Sequence, residues 1–233
     1  MGFDLSFMTV ALKAGISAVP LTTALSGGAF AVSFLCGTVF ALVRLNNVPY
    51  LSKLLQIYIT VIKAVPAILL LYIVYFLIVD GFNAFSEVLR LNATSKNISM
   101  NVIAVVALSL NGTVTVSETI RGAFLSVPRG QYEGAYSVGL TSYQTLKRVV
   151  LPQMIPVAVP VLCNNLIVFI KMSALLYYIS VTDILNAAQI PATINYKFLE
   201  SYVAAALIYW AICVALEKLS KLLERKLSRY RDR

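Results

Sequence analysis

Five apolar stretches dominate the chain, and they constrain its fold more than any other feature. Pro20 to Val43 carries no charge before Arg44. Ile57 to Val79 holds one cation, Lys63, and Ile98 to Ser117 holds none. Val149 to Ile179 is long, carries Lys171, and is punctuated by Pro152, Pro156 and Pro160. Tyr202 to Leu216 is short unless Leu199 or Leu219 extends it. A bilayer core is crossed by about 20 mostly apolar residues in a helix. The pattern therefore predicts an all-α, polytopic membrane protein with about five transmembrane helices. Phe3 to Val19 is diluted by Lys13, Gly15 and Ser17 and is expected as an N-terminal helix lying along the interface.

Composition closes the alternatives. Of 233 residues, 59% are hydrophobic and 12% charged. A soluble domain of that length has no interior large enough for so much apolar side chain, and a disordered chain needs the opposite balance. There is no histidine, which removes imidazole bases and histidine-ligated metals. Cys36, Cys163 and Cys213 fall inside apolar runs without CxxC spacing, so they read as small core residues. No catalytic group and no metal site is expected.

The net charge of +9 is not spread evenly. Arg44 to Lys53 holds two cations and no acid. Arg121 to Arg148 holds Arg121, Arg129, Lys147 and Arg148 against Glu133. The tail after Leu216 holds Lys218, Lys221, Arg225, Lys226, Arg229, Arg231 and Arg233 against three acids. Asp80–Asn97 and Asp183–Glu200 are neutral to slightly acidic. These two sets alternate as five spans require, and cations collect on the cytoplasmic side. The N-terminus is expected outside and the C-terminus in the cytoplasm. Leu219, Leu222, Leu223 and Leu227 among the tail cations suit a solvated helix prolonging the last span, and no nucleic-acid partner is expected.

Between the third and fourth runs, the chain is too polar for a span and too patterned for a loose loop. It reads Ser126-Val127-Pro128-Arg129-Gly130-Gln131-Tyr132-Glu133-Gly134-Ala135, then Gly139, then Val149-Val150-Leu151-Pro152. This resembles the E-A-A-x3-G-x9-I-x-L-P loop of permease subunits of bacterial ATP-binding-cassette importers. Glu133, Ala135, Gly139, Leu151 and Pro152 match, while Gly134 replaces an Ala and Val149 an Ile. Ser109-Leu110-Asn111, Glu118-Thr119-Ile120-Arg121-Gly122, Asn164, Lys171 and Val181-Thr182-Asp183-Ile184-Leu185 resemble the polar-amino-acid branch of that family. Gly139 suits a tight turn. Glu133 near the start of a short helix would favour its positive end and bond exposed N–H groups. Pro152 near the start of the fourth span does little harm.

The resemblance implies one permease domain over residues 1–233, like those of type I importers. Its coupling loop covers about 121–148, with Glu133, Gly134, Ala135, Gly139, Leu151 and Pro152 in contact with an ATPase, and its basic tail covers 217–233. It implies a cytoplasmic ATP-binding-cassette subunit, a second permease subunit (identical or paralogous), and an extracellular or periplasmic substrate-binding protein. It also implies placement in the bacterial inner membrane. The chain has no GxxxxGK[ST] loop, so ATP and magnesium are expected on the partner and no cofactor on this chain.

Ionisable groups in spans are costly and point to function. Lys63 can snorkel or face the pathway. Lys171 recurs at helical intervals with Asn164 and Leu175, and its ammonium could meet an amino-acid carboxylate or a backbone carbonyl. Thr60, Lys63, Asn111, Asn164, Lys171 and Met172 are the candidate pathway residues. Relatives that move cationic amino acids resemble one another in acids near Thr60 and Met172. Neither is present here, so a neutral or sulfur-containing amino acid such as cystine is expected over a cationic or other polar one. A stand-alone secondary transporter would call for an internal repeat and embedded acids, and the sequence offers neither.

Overall fold

The computed structural model describes residues 3–89 and 98–231, with side chains through residue 227. Asn92 and Asn97, which begin Asn-x-Ser/Thr glycosylation patterns in the sequence, lie outside that range, as do the side chains of the tail cations beyond Lys226. α1 (Leu5–Ser17) begins at Asp4, whose carboxylate accepts from Ser6 N–H and Phe7 N–H. α2 (Val19–Leu45) follows after one residue. Next come α3 (Leu51–Ala64), α4 (Ala67–Val88), α5 (Met100–Leu125) and the short α6 (Arg129–Ser137). α7 (Ser142–Thr145) runs through a π-turn at Leu146–Val150 into α8 (Leu151–Met172), which tightens to 3-10 geometry over Ser173–Ile179. α9 (Ile184–Gln189), α10 (Ala192–Asn195) and α11 (Phe198–Arg231) complete the chain.

Five helical stretches are long and apolar enough to cross a bilayer: Val19–Leu45, Ala67–Val88, Met100–Leu125, Ser142–Ile179 and Phe198–Leu227. Four overlie expected spans. The second expectation, one span over Ile57–Val79, is corrected. The helix breaks at Val65, which is extended (φ −90°, ψ 129°), before Pro66. Proline lacks an N–H and pushes the preceding residue out of the α region. Lys63 therefore sits at the end of a separate half-helix. α11 extends the fifth run in both directions and continues into the basic tail.

At the centre, α2 and α5 run parallel in close contact. Ala29, Ser33, Gly37 and Ala41 recur every fourth residue on α2, and all four are buried. A Cβ on Gly37 would lie 2.9 Å from Ser117 N and 2.9 Å from Thr113 O. Ser33 Oγ donates to Ser109 O (3.2 Å), and Ser109 Oγ donates to Ala29 O (3.3 Å). Small residues let membrane helices approach this closely, and short hydroxyl bonds then hold them. α8 packs antiparallel to α5, with Phe169 against Gly112 and Asn165 Nδ2 donating to Thr119 Oγ1 at 3.0 Å. α11 packs antiparallel to α8 and carries Tyr209 to Ser173.

α1 is held by more than an interface. Phe7 and Ala11 pack with Ala192 and Ala204, and Gly15 abuts Ile208 and Ala188. Asp4 pairs with Lys197, and its N–H donates to Glu200 Oε1 at 3.1 Å. Cys36 corrects another expectation: it is exposed on α2, while Cys163 and Cys213 are half-buried.

Candidate functional site

The loop between α5 and α8 forms a two-helix knob. α5 continues to Leu125, so the first residues of the 121–148 stretch are span helix. Pro128 stands at the N-cap of α6 (φ −61°, ψ 143°), where its missing N–H would be unbonded anyway. Gly139 has φ +82°, a left-handed conformation that costs a side-chain-bearing residue far more than glycine. Leu140 N–H closes the turn on Ala135 O at 3.1 Å. Thr141 and Gln144 then form a reciprocal capping box that starts α7.

Each residue expected at the ATPase contact has a place in or beside this knob. Ala135 is buried beneath it, and Gly134 and Glu133 are exposed. Gly134 has open space where a Cβ would stand. Glu133 is not where the sequence expectation put it. It lies in the second turn of α6, past the first-turn N–H groups, and makes no ion pair among the described residues. Its carboxylate projects outward. Leu151 packs beside Val150 and Met154. Pro152 follows the π-turn, in which Leu151 N–H bonds Leu146 O. The wider turn accommodates the bond that Pro152 cannot make. Between this knob and the ends of α2 and α5 lies a largely apolar groove of about 550 Å³, lined by Leu42, Leu45, Phe124, Val127 and Tyr132 among others.

The candidate pathway residues divide between two walls. On α3, Lys53, Gln56, Thr60 and Lys63 are all exposed and share one stripe, flanking the face of buried Leu55, Ile59 and Ile62. On α5, half-buried Asn111, exposed Thr115 and half-buried Glu118 recur at helical intervals. Tyr58 OH donates to Leu110 O at 2.9 Å, joining the two helices. Thr60 Oγ1 bonds only its own helix, at Gln56 O. Lys63 Nζ lies 3.5 Å from Glu118 Oε2, and Arg44 Nη1 donates to Glu118 Oε1 at 2.5 Å.

Asn164 and Lys171 stand elsewhere. They line a cleft of about 320 Å³ between α8 and α11, facing Cys213, Glu217, Ser220, Lys221 and Glu224. Glu217 pairs with Lys221 at 2.7 Å. Leu175, expected on the face of Lys171, packs instead toward the central cluster beside Met172. The change to 3-10 winding after Met172 turns that face away.

Sequence reasoning missed Arg44, Gln56 and Thr115 as wall residues, and it chose Asn164 while Asn165 is the one buried against α5. It also missed the role of Tyr209, a residue of the fifth apolar run. Tyr209 OH donates to Asp183 Oδ2 at 2.8 Å, and Asp183 Oδ1 accepts Asn186 N–H at 2.8 Å. Asp183 is fully buried. One signal was available, because an acid inside Val181-Thr182-Asp183-Ile184-Leu185 immediately before a helix is an N-cap pattern.

Comparison with known proteins agrees with this geometry. A family model described as "Binding-protein-dependent transport system inner membrane component" matches residues 33–229. The probable amino-acid permease protein YxeN of Bacillus subtilis (strain 168) is 30% identical over 226 residues, covering 97% of this chain and 96% of the relative. The L-cystine transport system permease protein TcyB of the same organism is 35% identical over 219 residues, covering 88% and 87%. A solved structure described as the crystal structure of an amino acid ABC transporter with histidines superimposes with a TM-score of 0.83. It is 29% identical and covers 97% of this chain and 100% of that one.

Proposed function

We infer the role of this chain from its family: it belongs to the binding-protein-dependent transport system inner membrane components, as an amino-acid ABC-importer permease. It is a multi-pass subunit of the inner membrane. Its finer role is to form half of a conduit moved by a separate cytoplasmic ATPase. The second half is another permease subunit, identical or paralogous, and a binding protein delivers the substrate outside. The knob carries this reading: a buried Ala135, an exposed Glu133 and a φ +82° turn at Gly139 make a compact projection at the basic end of the bundle. Cations on that end orient it to the cytoplasm, with the N-terminus outside.

The substrate is a neutral or sulfur-containing amino acid, with L-cystine the leading case. Glu118, the acid on the α3–α5 wall, is engaged by Arg44 and Lys63. That leaves the wall no free carboxylate for a guanidinium or ammonium side chain. The B. subtilis cystine permease supports the same choice. A cationic or other polar amino acid is the second reading.

Proteoliposomes holding the permease, its ATPase and its binding protein test both levels. ATP-dependent L-cystine uptake is expected, and Glu133→Arg is expected to lower transport-coupled ATP hydrolysis by about tenfold. Full ATP coupling in that variant would overturn the docking role. Strong uptake of L-arginine without L-cystine would overturn the substrate assignment.

A further inference from the structure

Three helices meet over one carboxylate near the Asn46 end of the bundle. Glu118 on α5 is held by Arg44 of α2 through one oxygen and approached by Lys63 of α3 through the other. Arg44 also donates from Nη2 to Gln56 Oε1 at 2.8 Å. Two cations share one anion, so the constellation carries one surplus positive charge.

The geometry decides which residue holds that surplus. The Arg44 side chain is 9% exposed and uses both arms of its fork, whereas the Lys63 side chain is 53% exposed and makes one long contact of 3.5 Å. Arg44 is fixed, and Lys63 is accessible. Lys63 also ends the exposed polar stripe of Gln56 and Thr60, and its contact on α5 is Glu118, which recurs at helical intervals with Thr115 and Asn111. A lysine that only neutralised Glu118 would duplicate Arg44, which already makes the shorter bond. An ammonium is a compact charge that exchanges one oxygen partner for another more freely than a forked guanidinium.

We propose that Lys63 is a carboxylate-receiving site in the conduit. Its ammonium leaves Glu118 Oε2 to hold the carboxylate of a passing amino acid, and returns when the substrate departs. Arg44 and Glu118 are positioning residues that keep the site charged and aimed. Exchange of one carboxylate for another keeps the site shallow, and a conduit needs binding weak enough to release. The site deepens the amino-acid conduit proposed above and rests on that reading.

The test uses the complete reconstituted complex with L-cystine, L-glutamine and L-glutamate as probes. Lys63→Met is expected to raise the KM for uptake about tenfold while ATPase stimulation by loaded binding protein stays within about twofold, with Lys63→Arg intermediate. Chemical rescue covers a Lys63→Met protein that fails to fold. In a background with Cys36, Cys163 and Cys213 replaced by Ser, Lys63→Cys treated with 2-aminoethyl methanethiosulfonate regains an ammonium of similar reach. Uptake should recover, and methyl methanethiosulfonate should not restore it. Unchanged KM in Lys63→Met, equal recovery with both reagents, or parallel loss of ATPase stimulation would each overturn the site. ATP-independent uptake, or none of any probe, by the unsubstituted complex would instead overturn the conduit reading, and the site with it.

Discussion

Two glycines in the knob look alike in sequence and differ in physics. Gly139 has φ +82°, while Gly134 is helical with open space where a Cβ would go. Gly139→Ala is expected to cost about 1 kcal/mol or more, whereas Gly134→Ala should gain up to about 1 kcal/mol of helix propensity. Thermal unfolding of the detergent-purified protein should therefore move in opposite directions for the two. Asp183 makes a second prediction. Burial pushes its carboxyl above the ordinary 3.8, against the pull of its Asn186 and Tyr209 bonds. A raised acid in the folded state stabilises fully below the unfolded value and loses that contribution as pH rises through its own. Melting temperature relative to Asp183→Asn should fall as pH rises from about 4, and an opposite trend would overturn the assignment. Asp183→Ala should cost about 2 kcal/mol through the lost cap and the lost Tyr209 hydrogen bond. The turn at Gly139 was legible in the sequence because its spacing from Glu133 and Leu151 is local. The bond from Arg44 to Glu118 was not, because its partners are 74 residues apart and no periodicity links them.

At the scale of elements, the α2–α5 seam carries the packing argument. Gly37→Leu would drive a branched side chain into the Ser117 backbone and the Val116 side chain, an overpacking of roughly 1–3 kcal/mol or more. Gly28→Ala, on the same helix but facing open space, should carry no packing cost and, as for Gly134, gain helix propensity. Fluorescence-detected gel filtration of the two solubilised variants should show aggregation only for Gly37→Leu. The spans themselves could be read from the sequence because each is an uninterrupted apolar run. The break at Val65–Pro66 went unread because the flanking residues are as apolar as those of a continuous span, so hydropathy averaged over it. The single proline was the only sign. By contrast, Pro156 and Pro160 sit inside an unbroken α8, where neighbouring helices hold the segment together. Proline content alone therefore did not separate a break from a continuous helix.

For the molecule as a whole, the fold gathers Arg44, Lys53, Arg129, Lys147, Arg148 and the α11 cations at one end, with Asp4, Asp183 and Glu200 at the other. Single cysteines can fix which end faces the cytoplasm. In a background lacking Cys36, Cys163 and Cys213, Ile194→Cys should react with a membrane-impermeant maleimide in intact cells, and Tyr50→Cys only after permeabilisation. Both positions are exposed, at 79% and 89%, and the reverse labelling would invert the topology. The separation of Thr60, Lys63 and Asn111 from Asn164 and Lys171 was invisible in the sequence, because it depends on which helices become neighbours. From Ser142 to Ile179 the helical path is unbroken. The residues beside the Gly139 turn and the residue bearing the Lys171 ammonium therefore belong to one shaft, with no linker between them. A push on its foot would reach Lys171 as a crank reaches its axle, softened where the π-turn at Leu146–Val150 gives the shaft a compliant joint.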